Sequence, residues 1–157
     1  MCLKKACVPL IAILVCTAAQ AQVKTFEQIA SDSKSQVVQM PVEELEKKMD
    51  AEEKIILIDV RTEKEYLAAH IEGANWISRG KAEFGTQGIS TDPKVEIIVY
   101  CRTGTRSSLS ALALRSIGYE NVVSLDGGFK QWVEEGNSAF NMHGEIKVVS
   151  FEKKENK

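Results

Sequence analysis

Three short runs of uninterrupted apolar residues constrain this chain more than any other feature. Ile55-Ile56-Leu57-Ile58, Ile97-Ile98-Val99-Tyr100 and Val122-Val123 with Leu125 are rich in β-branched side chains and show no polar–apolar alternation. A strand with one wet face alternates, whereas a strand covered on both faces need not, and parallel sheets are covered on both. The segments between the runs carry helical spacing instead. Val42 to Met49 puts Val42, Leu45 and Met49 on one side, behind Pro41, with Glu43 and Glu44 near the positive end of the helix dipole. Glu63 to Ala69 is a second helical pattern. Ser107 to Ile117 is a third; Leu109, Leu112, Ala113 and Ile117 are expected to face inward, and Gly118 is placed to end the helix in a left-handed conformation. Strand and helix alternate, which predicts an α/β layered domain around a mostly parallel sheet.

The chain's 157 residues give room for one such domain with its own core. Ahead of it, Lys4 and Lys5 precede an apolar run from Val8 to Ala19, and Ala19-Gln20-Ala21 offers small residues at the positions a signal peptidase reads. This pattern predicts a cleavable secretory signal over residues 1–21, too short in its apolar part for a membrane span. The expectation is an exported protein, periplasmic in a bacterium with two membranes, and free of the membrane after cleavage. Bulky Val15 before Cys16 argues against lipid attachment at that cysteine. Residues 22–36 read as an extension with one short helix, 37–137 as the domain, and 138–157 as a tail in which Glu145 to Phe151 adds an edge strand. Cleavage removes two of the 20 Lys and Arg and none of the 22 acids, so the net charge moves from −2 to −4. That balance excludes a nucleic-acid partner, which needs a basic face. Cleavage also removes Cys2, Cys7 and Cys16 and leaves Cys101 alone. An unpaired cysteine in an exported domain is either buried and inert or kept for its reactivity.

The surroundings of Cys101 favour reactivity. It directly follows the run Ile97–Tyr100 and opens the segment Cys101-Arg102-Thr103-Gly104-Thr105-Arg106, which feeds a helix. Ligand sites in open α/β sheets lie beyond the carboxyl ends of strands. Gly104 permits a tight turn in which backbone N–H groups converge on the sulfur. The helix adds the positive end of its dipole, and Arg102 and Arg106 add two full charges. Together these favour a sulfur anion, a terminal persulfide included. Arg106 has a planar fork suited to holding an anionic donor beside the nucleophile. Ser107 or Ser108 is expected to cap the helix.

The loop 101–106, together with three further segments in order, resembles the rhodanese homology family. These segments are Ile58-Asp59-Val60-Arg61 with Glu65-Tyr66, then His70-Ile71-Glu72-Gly73-Ala74-Asn75, and Leu125-Asp126-Gly127-Gly128-Phe129 with Trp132; the likeness runs from about Val37 to Gly136. It implies a five-stranded, mostly parallel sheet with helices on both faces. It further implies a double displacement in which Cys101 takes sulfane sulfur from a small anionic donor such as thiosulfate and passes it to cyanide, a thiol or an acceptor protein. Arg102, Thr103, Gly104, Thr105 and Arg106 would then bind the donor and stabilise the persulfide, and Asp59 and Arg61 would support the loops by ion pairing. No metal or organic cofactor is implied, since the cysteine is itself the carrier. With His143 the one other histidine, His70 is expected to be packed and hydrogen-bonded rather than part of a dyad or metal site.

Two departures qualify the likeness. Glu65 stands near where two-domain rhodaneses tend to carry a cation, and the loop is unlike the Cys-Gly-Ser-Gly type associated with 3-mercaptopyruvate. The stretch from Ser78 to Pro93, with Gly80, Gly85 and Gly88, reads as a long connection that forms one wall of the site. Other readings of the same residues are a persulfide carrier or redox-sensing binding module with little turnover, and a phosphatase or arsenate reductase. The last of these needs an Arg six positions after the cysteine, where this chain has Ser107.

Overall fold

The computed structural model describes residues 22–148, so the predicted signal and residues 149–157 lie outside it. The described elements, in chain order, are α1 (Phe26–Ser35), β1 (Gln39–Met40), α2 (Val42–Asp50), β2 (Ile55–Asp59), α3 (Glu63–Ala68) and β3 (Asn75–Trp76). A 3₁₀ turn (Arg79–Lys81), α4 (Ala82–Gln87), β4 (Glu96–Tyr100), α5 (Thr105–Ser116), β5 (Val122–Leu125), α6 (Gly128–Glu134), β6 (Ala139–Asn141) and β7 (Gly144–Ile146) complete it. The five strands β1-β5-β4-β2-β3 form one sheet in that order, and every pairing in it is parallel.

The unbroken apolar runs divide between two cores by strand pleating. Leu57, Ile98 and Tyr100 point to one face and meet Leu45 of α2 with Phe129 and Trp132 of α6. Ile58, Ile97, Val99 and Cys101 point to the other and meet Ala111 and Leu114 of α5. Each of these strand residues is at most 4% exposed, so the absence of alternation reports burial on both sides.

Helix α5 differs from its expected orientation. Its buried residues are Ser107, Ser108, Ser110, Ala111 and Leu114, while Ile117 is 43% exposed. The start of the helix approaches the sheet so closely that small hydroxyl residues fill the contact. Ser107 and Ser108 Oγ each lie 2.9 Å from Gly104 O, and both reach Ser124 Oγ of β5, at 2.8 and 3.4 Å. The hydroxyls thereby find partners that a buried polar group requires. Gly118 does end the helix with φ +111°.

The segment ahead of β1 is a ten-residue helix with a Thr25 capping box. It packs along α5, and Arg115 Nη1 donates to Gln36 O at 3.2 Å. Of the strand expected over Glu145 to Phe151, residues 149–151 lie outside the described residues, and Glu145 and Ile146 belong to β7 of the β6–β7 hairpin, a separate antiparallel ribbon tied to His70 by a bridge to Phe140. Ala139 of this hairpin is fully buried in the α2/α6 core. Among the described residues no helix is long and apolar enough to cross a membrane.

Candidate active site

Cys101 follows the last residue of β4, between β5 and β2 in the sheet. The connection from β4 to β5 runs through α5 on one face, and that from β2 through α3 on the other, where Tyr66 packs. Adjacent strands that send their connections to opposite faces leave a crevice at their carboxyl ends. Cys101 sits in that crevice.

The loop between β4 and α5 is tight. Gly104 takes φ +100° and is the N-cap of α5, in place of the expected serine cap. Its N–H donates to Cys101 Sγ at 3.2 Å, and Ser107 Oγ lies 3.6 Å from the same sulfur. With one proton, Ser107 donates to the sulfur or to one of its two oxygen neighbours at a time. Cys101 is 1% exposed, so its thiol is reached only through the crevice. Arg102 and Thr103 are exposed on the loop, and Thr105 is half-buried at the first turn of α5.

The loop is held from behind by the turn after β5. Phe129 N donates to Cys101 O at 2.8 Å and Lys130 N to Arg102 O at 3.0 Å. Gly128, with φ +59°, comes so close that a Cβ there would lie 2.4 Å from Cys101 O. Consecutive glycines after a strand mark Gly127-Gly128 as a tight turn but not as the support of Cys101.

Arg106 is committed to a partner. Its Nη1 and Nη2 donate to the two carboxylate oxygens of Glu65 on α3, each at 3.2 Å. Glu65 Oε2 also accepts from Thr62 N and Thr62 Oγ1. The Arg106 guanidinium is the main reason the Glu65 carboxyl is held down to about 2; burial opposes it, and the Thr62 hydrogen bonds assist. Arg106 is raised in turn, first by Glu65. The departure at position 65 therefore acts on the arginine that was expected to bind the donor.

Asp59 and Arg61 pair with each other. Arg61 Nη2 lies 2.6 Å from Asp59 Oδ2 with Arg61 Nε shared between both oxygens, and both side chains are buried. Arg61 also donates to Ala69 O and lies 4.1 Å over the Phe129 ring. It thus ties the end of β2 to α3 and to the turn behind the loop. Tyr100 is pushed well above its usual range by burial, with the Asp59 charge adding, and its hydroxyl accepts from Ile71 N. His70 stacks on Tyr66 at 4.0 Å and donates from Nδ1 to Tyr66 O, the packed histidine expected. No cluster of metal-ligating side chains occurs among the described residues. The stretch 78–93 contributes the 3₁₀ turn and α4, and lines a groove of about 880 Å³ with Trp76, Ser78 and Phe84 whose lining holds no residue of the loop 101–106.

Comparison with known proteins gives the same frame. Residues 41–135 match the rhodanese-like domain, well over half of the chain. A putative sulfur carrier protein of Bacillus subtilis, YrkF, is 28% identical over 103 residues, 66% of this chain and 55% of its own. The thiosulfate sulfurtransferase GlpE of Tolumonas auensis is 38% identical over 78 residues, 50% of this chain and 72% of its own. The match to YrkF thus spans little more than half of that relative's length. Among solved structures, the polysulfide-sulfur transferase homodimer of Wolinella succinogenes superposes with a TM-score of 0.63 at 27% identity, covering 73% of this chain and 85% of that one. Thiosulfate sulfurtransferase of Pseudomonas aeruginosa, at 22% identity, shares the fold with a TM-score of 0.66 over 76% of this chain and 23% of its own. The five-stranded parallel sheet and the match over residues 41–135 agree, and this chain belongs to the rhodanese-like domain family.

Proposed function

We propose that this protein is a sulfurtransferase that carries sulfane sulfur as a persulfide on Cys101. The observation that carries the reading is the placement of Cys101 Sγ at the carboxyl end of the central strand, accepting the Gly104 N–H where α5 begins. That N–H and the positive helix end favour negative charge on a sulfur there.

In the first half-reaction the Cys101 thiolate attacks the outer sulfur of a donor such as thiosulfate. An S–S bond forms to Cys101, the donor's S–S bond breaks, and its electron pair leaves with sulfite. In the second half-reaction an acceptor such as cyanide attacks the terminal sulfur. Thiocyanate leaves and the thiolate returns. Both steps conserve charge and need no other oxidant or reductant. The terminal sulfur would stand about 2 Å beyond Sγ, over the loop, where the anion faces its backbone rather than bulk water. A small donor suits the near-complete burial of Cys101. The names of YrkF and GlpE support sulfur carriage and sulfur transfer respectively.

The phosphatase reading loses further support, because Arg106 is engaged by Glu65 and Ser107 stands where a phosphate-binding arginine would be required. The basic start, apolar run and small residues up to Ala21 support export, which the intact mass of the protein from an export-competent host would test by showing the loss of residues 1–21.

The enzymatic claim is tested by steady-state thiocyanate formation with both substrates varied. Parallel double-reciprocal lines are expected for a carrier that is loaded and unloaded in turn. Cys101→Ser should abolish turnover with the fold intact; intersecting lines, or turnover by the variant, would refute the persulfide route.

A further inference from the structure

We infer that Lys34, on the helix ahead of the family-matched segment, is a specificity-determining residue that holds the anionic end of the sulfur donor. The inference rests on the sulfurtransferase reading and names the residue that selects its substrate's charge.

A donor such as thiosulfate carries two negative charges, and three described cations are candidates to face it at the loop. Arg106 faces Cys101 but spends one N–H of each terminal nitrogen on Glu65, which offsets its charge. Arg102 is exposed on the loop, with no side-chain ion pair among the described residues. Lys34 is different. It comes from the last turn of α1 and lies against Gly104, the residue whose N–H touches the sulfur: a Cβ on Gly104 would fall 2.9 Å from Lys34 Cε and 3.0 Å from Nζ. Chaining that contact to the 3.2 Å bond from Gly104 N to Sγ places the ammonium within roughly 9 Å of the nucleophile. This is no more than a Debye length in ordinary buffer, so the charge is felt at the sulfur and beyond it.

Gly104, a glycine by its φ of +100°, leaves open the space that the tip of Lys34 occupies. Helix α1 is fixed by its packing on α5, and Arg115 anchors its end at Gln36 O. The one ion pair of Lys34 among the described residues is a long 3.8 Å contact to Asp126, whose carboxylate is 62% exposed. Contacts of that length and exposure hold little energy, so the ammonium is free to turn to a dianion. Glu65 takes two of the five N–H donors of Arg106, which also faces Cys101, and Lys34 adds a further charge from outside the shared domain.

The test follows persulfide loading of the full chain by intact mass, at graded thiosulfate, for wild type, Lys34→Met and Lys34→Arg. Met keeps the apolar stem over Gly104 and removes only the charge. The half-saturating thiosulfate concentration should rise roughly threefold to fivefold in Lys34→Met, the size expected for one partly exposed charge. Its limiting rate and melting temperature should stay at the wild-type level, Lys34→Arg should restore binding, and added salt should narrow the gap. Equal half-saturation in wild type and Lys34→Met, or a loss confined to the limiting rate, would overturn the inference while the sulfurtransferase reading stands. A wild type that never loads would refute that reading and the inference together.

Discussion

Gly128 has a residue-scale role that its spacing in the chain does not announce. With φ +59° it occupies backbone space that an L side chain enters only under strain, and any Cβ would press on Cys101 O and on the carbonyl of Arg102. Gly128→Ala should therefore destabilise the protein by about 1–3 kcal/mol and displace the nucleophile loop. Denaturant melts and thiocyanate turnover should both report the loss; a variant with wild-type stability would show that the turn does not brace the loop. The glycine pair was legible as a turn because consecutive glycines after a strand are turn chemistry. Its contact with Cys101 was not, because a through-space approach leaves no local signal. The same holds for Ser107. Its type and position suggested a helix cap, but Gly104 is the cap, and the hydroxyl instead lies 3.6 Å from the sulfur.

Elements were most legible where they are long and buried. The β2, β4 and β5 runs announced themselves, whereas β1 and β3 have two residues each, too few for any period to appear. The inward face of α5 was misread because apolar spacing chose Leu109, Leu112, Ala113 and Ile117, while close approach to β5 selects serine and alanine. The pair Glu65–Arg106 joins α3 to α5 across the crevice, and its contribution should follow pH. Glu65 is about 2 in the folded protein and near its ordinary value of about 4.5 when unfolded. A depressed carboxyl stabilises fully above its unfolded value and loses that contribution as pH falls toward the folded one. The stability gap between wild type and Glu65→Gln should be full above about pH 4.5 and vanish near pH 2. Glutamine can still accept from Thr62 N, so melts of the two proteins across that range isolate the charge. A gap independent of pH would show that the ion pair does not link the helices.

At the scale of the whole molecule, a sheet wound on both faces creates one crevice, and every support described converges there. β4 delivers Cys101, α5 its N-terminal dipole, β2 the Asp59–Arg61 pair and the turn after β5 the backing glycine. The arrangement was largely legible, since four motifs in order identify the shared domain. What the motifs could not convey is that the flanks fold onto it: α1 lies along α5, and the β6–β7 hairpin buries Ala139 and bridges to His70. Those contacts depend on side chains outside residues 41–135. The central claim remains that Cys101 holds sulfur as a covalent intermediate. Its most direct test is the intact mass of the protein after incubation with thiosulfate and again after cyanide, beside Cys101→Ser. The account predicts a one-sulfur increment on the wild type alone, removed by cyanide as thiocyanate appears. An increment on the Cys101→Ser protein, or a wild type that forms thiocyanate with no increment at Cys101, would contradict it.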